Sequence, residues 1–202
     1  MTRYLDLIYL AAGLSTRYGS NKLLALMDGK PLYQHGLAIL ADYQQQHPDQ
    51  CRIIVVTRFP EISASARAIG AMVVENDQPE AGISHSIRLG LLAASHESNR
   101  SRPGRRAAVF LVADQPWLKK ETLAAFLDWA RITPAGILTA GHAGVPGNPV
   151  SFDQRYFPEL MALEADHGGR VISIRHPDDT AWYDIPACEQ IDIDHLERQE
   201  EP

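Results

Sequence analysis

Between Leu10 and Lys22 the chain reads Leu-Ala-Ala-Gly-Leu-Ser-Thr-Arg-Tyr-Gly-Ser-Asn-Lys. Glycines, a guanidinium and an ammonium follow directly on a hydrophobic run, with no acid among them. Gly13 and Gly19 let the backbone approach an anion and turn its N–H groups toward it, while Arg17 and Lys22 add charge and directed hydrogen bonds. These are the parts of a polyphosphate cradle. Known phosphate loops do not account for it: a Walker A loop would place Lys where Ser20 stands, and a dinucleotide fingerprint would need glycines at Ser15 and Tyr18. Nor is it a nucleophile elbow, because Arg17 holds the last glycine position. The competing reading is a surface turn with scattered basic residues.

Asp114 is the second chemical position, in Ala113-Asp114-Gln115-Pro116 directly after the apolar run Ala107–Val112. A lone acid at the mouth of a buried strand, facing a phosphate site, calls for a cation. Magnesium suits it, since that ion needs one or two carboxylates plus phosphate oxygens and waters rather than a protein cage. Alternatively Asp114 caps the turn before Pro116. Asp192 and Asp194 flank Ile193, so only one of them can face a given side of a strand; a solvated terminal acid is the rival reading. The segment Gly144–Pro149 surrounds Asn148 with glycines and prolines, which makes either a rigid loop for a planar polar ligand or a plain proline-fixed turn. His85, His142 and His167 lie near these segments and are read, like the other histidines, as structural or surface groups.

The elements that must position these groups show in the pattern of apolar residues. Strand signals recur at Leu5–Leu10, Arg52–Thr57, Ala71–Glu75 and Ala107–Val112 as short runs suited to burial on both faces. Helical signals fall between and after them at Pro31–Gln45, Ile62–Ile69, Gly82–Ser95 and Glu121–Ile132. Alternation of this kind predicts an α/β fold: a three-layer, Rossmann-like, mostly parallel sheet with helices on both faces and right-handed crossovers. Ligands of such sheets bind beyond the carboxyl ends of the strands, where both the Leu10–Lys22 loop and Asp114 fall. Later the pattern loosens. Gly136–Ala140, Val150–Phe152, Trp182–Ile185 and Gln190–Ile193 read as strands, Gly168–Arg175 as a short helix, and the C-terminus as charged and frayed.

At 202 residues and 45% hydrophobic content the chain can close one sizeable core, so a single domain is expected over 1–202. The part that carries the phosphate loop is set at about 1–118 and a substrate lobe at about 119–202, which the resemblance given below makes the nucleotide-binding and acceptor-binding parts. A net charge of −6 argues against a nucleic-acid surface. The basic cluster Arg100, Arg102, Arg105 and Arg106 lies in a Ser/Asn/Pro/Gly-rich stretch and is read as a solvated loop. Cys51 and Cys188, too few and unpaired in spacing for a zinc site, are read as reduced, buried thiols of a cytoplasmic protein. Asp6 interrupts the apolar N-terminal run, which is better read as a strand than as a signal peptide. The uncharged stretch Ile132–Phe152 carries three prolines and four glycines and could not cross a membrane as a helix.

Taken in order, Leu-Ala-Ala-Gly-x-Ser-x-Arg-x-Gly-x-x-Lys, Ala113-Asp114-Gln115-Pro116, Gly144-Val145-Pro146-Gly147-Asn148-Pro149, Asp166-His167-Gly168-Gly169-Arg170 and Asp192-Ile193-Asp194 resemble the motifs of nucleotidyltransferases of the nucleotide-diphosphosugar transferase fold. The resemblance is closest to the molybdenum cofactor cytidylyltransferases and covers nearly the whole chain. It implies transfer of CMP from CTP to the phosphate of molybdopterin with release of pyrophosphate, magnesium as cofactor, and a molybdenum hydroxylase as recipient of the product. It places Leu10, Ala11, Ala12, Gly13, Ser15, Arg17, Lys22, Gly82, Ser86 and Asp114 at the nucleotide, with Arg17, Lys22 and Asp114 catalytic. It places Pro146, Gly147, Asn148, Asp166, Gly169 and Arg170 at the acceptor and favours Asp194 beside Asp114 at the metal. Ala12 points to CTP, because relatives with Ala-Ala-Gly resemble pyrimidine users. The Thr-Pro that usually follows the Asp-x-Asp pair is replaced by His195-Leu196, which leaves the register of that pair open. Two alternatives stand beside this reading: transfer to a sugar or polyol phosphate, and a nucleotide- and pterin-binding chaperone without turnover.

Overall fold

The computed structural model describes residues 2–13, 21–98 and 104–193. Strand β1 (Tyr4–Ala11) is central. It pairs in parallel with β4 (Cys51–Thr57) on one side and with β6 (Arg106–Val112) on the other, while β5 (Met72–Glu75) adds in parallel beyond β4. On the far side of β6 come β8 (Val145–Asp153), antiparallel to it, then β7 (Ile137–His142) and β9 (Thr180–Asp184). The seven-stranded order is β5-β4-β1-β6-β8-β7-β9, with β8 the antiparallel member. The remaining strands, β2 (Leu26–Met27) and β3 (Lys30–Pro31), form a separate hairpin.

Both sheet faces are covered, as the continuous apolar runs require. From β1, Leu5, Leu7, Tyr9 and Ala11 enter the layer closed by α1 (Leu32–Gln46), α2 (Pro60–Ala68) and α4 (Lys120–Ile132). Ile8 and Leu10 enter the opposite layer, under α3 (Ile83–Ser98), α5 (Phe157–Met161) and α6 (Arg170–Arg175). Two glycines set how closely helices approach β1. A Cβ on Gly36 would stand 2.8 Å from the Tyr9 hydroxyl, and one on Gly90 would stand 2.5 Å from Ile8 Cγ2.

Several expectations are corrected. Asp6 is more than an interruption in an apolar run: it is fully buried and accepts from Arg52 Nε at 2.7 Å and from Arg106. Arg106 is therefore not part of a solvated cluster, and Arg105 donates to Asp153 at 2.8 Å; Arg100 and Arg102 lie outside the described residues. Cys51 is buried, and that burial pushes its thiol up to about 12, but Cys188 is exposed. In the Gly144–Pro149 excursion, Val145–Pro149 form the first half of β8 rather than a loop, joined to β7 by a two-residue turn in which Ala143 and Gly144 both have positive φ. Gln190–Ile193 does not form a strand. Glu189, 2% exposed, turns inward and accepts from the backbone N–H of Lys119 ahead of α4, and the chain bends through a 3-10 turn at Ala187–Gln190. Among the described residues no helix is long and apolar enough to cross a membrane.

Candidate functional site

The chain runs from β1 outward through β4 to β5, then returns to the other side of β1 as β6, so the order reverses between β1 and β6. Crevices open at such reversals, beyond the carboxyl ends of the strands. Here the two strand ends are joined: Leu10 faces Val112, and Ala113 N donates to Leu10 O at 3.1 Å. Ala12 and Gly13 leave one strand, and Asp114 leaves the other.

Lys22 reaches the same place from a 3-10 turn at Lys22–Leu24, anchored by buried Leu23 and capped by Asn21, whose side chain accepts from Leu23 N at 3.1 Å. Lys22 Nζ donates to Asp114 Oδ2 at 2.8 Å and to Ile193 O at 3.0 Å. Residues 92 positions apart in sequence thus meet as an ion pair whose side chains are 15% and 23% exposed. The Asp114 charge is also felt inside the core: burial first, and then that charge, raise the Tyr9 phenol well above its ordinary range. Tyr9 stays protonated and donates to Tyr33 O at 2.8 Å, tying α1 to the strand that carries the site.

Two cavities flank these groups. One, about 320 Å³, is lined by Ala12, Gly13, Lys22, Gly82, Ser86 and Asp114 among others. The other, about 350 Å³, is lined by Gln115, Pro146, Gly147, Asn148, Gly169 and Arg170 among others. Leu10, Ile83 and Val112 belong to both. The two chambers share a wall.

The pattern of the MobA-like NTP transferase domain matches residues 7–180. The chain belongs to this family. It is 28% identical over 179 residues to the purine catabolism protein PucB of Bacillus subtilis (strain 168), covering 83% of this chain and 79% of PucB. Rv0371c from Mycobacterium tuberculosis H37Rv superposes with a TM-score of 0.70 at 24% identity, covering 96% of this chain and 94% of that one. The nucleotidyl transferase Mth528 of Methanothermobacter superposes with a TM-score of 0.72 at 18% identity, covering 95% and 92%. These structural likenesses establish the α/β nucleotidyltransferase fold.

Within this MobA-like domain the sequence-derived residues distribute unevenly. Leu10, Ala12, Gly13, Lys22, Gly82, Ser86 and Asp114 line the first chamber. Ala11 is not among them: its side chain is fully buried on the α1 side of the sheet, and its carbonyl accepts from Thr57 Oγ1 at 2.9 Å, which ties β1 to β4. Pro146, Gly147, Asn148, Gly169 and Arg170 line the second chamber. Asp166 does not, lining the first instead. Gly82 explains why: φ is +82°, and a Cβ there would stand 2.4 Å from Ala165 O and 2.7 Å from Asp166 Oδ1. Only glycine lets the Ala165–Asp166 backbone close on the start of α3, where Ser84 N donates to Ala165 O at 3.2 Å. Ser15, Arg17, Gly19 and Asp194 lie outside the described residues.

Sequence reasoning missed two polar residues. Asn76, 1% exposed at the end of β5, donates from Nδ2 to Ser86 Oγ at 2.9 Å and so orients a hydroxyl of the first chamber. Gln115, 7% exposed, donates to Asp192 Oδ1 at 2.8 Å and Gln190 O at 3.3 Å. A polar residue just past a strand end is the signal that could have marked both.

Proposed function

We propose that the protein transfers CMP from CTP to the phosphate of a molybdopterin-type acceptor and releases pyrophosphate. The observation that carries this reading is the pair of chambers sharing the Leu10, Ile83 and Val112 wall, with Lys22 and Asp114 lining one and Asn148 and Arg170 lining the other. A donor triphosphate and a planar acceptor bound side by side could bring one phosphate against another, which is the alignment the reaction needs. An acceptor phosphate oxygen attacks the α-phosphorus in line, the bond to the β-phosphate oxygen breaks, and pyrophosphate departs with that electron pair. The attacking phosphate is already ionised near neutral pH, so no general base is required.

In this reading Lys22 exchanges the Asp114 carboxylate for the β- and γ-phosphates and neutralises the charge that builds on the leaving group. Arg17 is assigned the same task on the resemblance. Asp114 and Asp166 both line the donor chamber and offer hard oxygen donors of the kind magnesium takes. Among the described residues no group of three or more His, Cys, Asp or Glu is gathered; these two carboxylates would hold the ion together with phosphate oxygens and water, and Asp194 is the further ligand that the resemblance favours. When bound, the ion would neutralise phosphate charge and polarise the α-phosphate. In the same reading Arg170, which lines the other chamber, holds the acceptor's phosphate. A role for PucB in purine catabolism accords with a product destined for a molybdenum hydroxylase acting on purines.

The test is pyrophosphate release by the pure protein with magnesium and molybdopterin, with CTP, GTP, ATP and UTP supplied separately. Turnover with CTP alone is expected. Release with a polyol phosphate and CTP, but not with molybdopterin, would replace the acceptor. Asp114→Ala is expected to abolish transfer while circular dichroism shows the fold intact, and near-normal turnover would remove Asp114 from the mechanism.

A further inference from the structure

The acceptor chamber has an asymmetric set of polar groups. Among its described lining residues Asp192 is the one acid and Arg170 the one base, and Leu10, Ile87, Phe110 and Val112 supply apolar walls. Walls of that kind suit a flat ring, and the two charges suit a ligand that is rich in donors at one place and anionic at another.

Asp192 is held in place by its neighbours. Glu189 accepts from Lys119 N at 3.1 Å, Gln115 Nε2 bonds Gln190 O at 3.3 Å and Asp192 Oδ1 at 2.8 Å, and Ile193 N donates to Asp114 O at 3.0 Å. Lys22 closes the set by donating to Ile193 O at 3.0 Å. A solvated acid near a chain end needs none of this, whereas a carboxylate that must meet a ligand in one orientation does. Asp192 also lines only the acceptor chamber, and Asp114 only the donor chamber.

We propose that Asp192, aimed by Gln115, selects the acceptor by receiving two parallel hydrogen bonds from the amino–imide edge of a 2-amino-4-oxo heterocycle, the ring edge of a pterin. The inference rests on the pterin-phosphate reading of this chamber. A carboxylate has about four lone-pair sites and can accept from several donors at once. The ring N3–H and the exocyclic amino N–H present the same two-donor edge that a guanidinium offers to a carboxylate. A 2,4-dioxo ring of the same shape replaces the amino donor with a carbonyl, which loses one bond and turns lone pairs toward the acid. Gln115 is a positioning residue, acting through Asp192.

The experiment titrates wild type, Asp192→Asn and Gln115→Ala with 6-hydroxymethylpterin and 6-hydroxymethyl-lumazine up to millimolar concentrations, following ligand fluorescence, with CTP binding by calorimetry as the control for folding. Wild type should prefer the pterin by roughly tenfold or more. Asp192→Asn should weaken the pterin by about 10- to 100-fold, leave the lumazine unchanged and bind CTP normally. Gln115→Ala should reduce the same preference several-fold, a readout that general loosening of the chamber would not move. If wild type and Asp192→Asn bind pterin equally while both bind CTP, the role of Asp192 is overturned and the acceptor reading stands. If wild type binds neither ring and a polyol phosphate supports turnover, both are overturned.

Discussion

At the scale of residues, the Lys22–Asp114 pair separates chemistry from stability. Both side chains are partly exposed, and an ion pair of that kind contributes at most about 1 kcal/mol to folding. In the proposed reaction the same ammonium, set against a leaving pyrophosphate, would be worth far more. Lys22→Ala should therefore lower kcat at least about 100-fold while the thermal midpoint moves by only a few degrees, measured by steady-state pyrophosphate release and by melting. In the proposed reaction Asn76 poses the opposite case, because it touches the chamber only through its bond to Ser86 and would act on nucleotide binding alone. Asn76→Ala should raise KM for CTP by roughly fivefold with kcat little changed, as expected when binding is lost equally from ground and transition states.

Among the elements, α3 couples packing to function. Its Gly90 rests on Ile8 of β1, while Ile83 and Ser86, two turns and one turn earlier, line the chamber of Lys22 and Asp114. Gly90→Ala puts a methyl group 2.5 Å from Ile8 Cγ2 and must push the helix away from the sheet. A loss of about 1–3 kcal/mol is expected in urea denaturation, together with a higher KM for CTP. The hairpin of β2 and β3 shows what a sequence reading can overlook. Met27 pairs with Lys30 across Asp28-Gly29, both at positive φ, and Asp-Gly is among the strongest short-range hairpin signals. The strands are only two residues each, so no alternation of apolar residues drew attention to the turn.

For the whole molecule, two buried or half-buried carboxylates join segments far apart in the chain. Burial alone would raise the Asp153 carboxyl, but hydrogen bonds from Arg3, the Arg155 backbone and Arg105 bring it below its ordinary 3.8. At Asp179 burial is likewise outweighed, by Tyr156, the Gly136 N–H and Arg155. A carboxylate held below its unfolded value contributes stability that is complete well above pH 4 and is lost as pH falls through the folded value. The double variant Asp153→Asn, Asp179→Asn should be less stable than wild type at pH 7, and the gap should narrow as pH falls below about 4, followed by thermal melting across that range.

Much of this architecture was legible in the chain because it is local. The runs at Leu5–Leu10 and Ala107–Val112, and the helical spacing of Ile83, Ile87 and Leu91, state which faces must be covered, and alternation of the two kinds of element leaves few topologies. That Gly13, Lys22 and Asp114 meet beyond the strand ends was legible for the same reason, and they line one chamber. The partitioning between chambers was not legible. Asp166 lines the chamber of Lys22 and Asp114 because Gly82 admits the Ala165 backbone, and Asp192 lines that of Asn148 and Arg170 because Gln115 and Glu189 draw the last described residues across the end of β6. Contacts like these join residues some 70 to 80 positions apart, and periodicity within a dozen residues carries no information about them. The sequence determined the elements and the chemical types; the packing of one sheet against two helical layers decided which groups share a cavity.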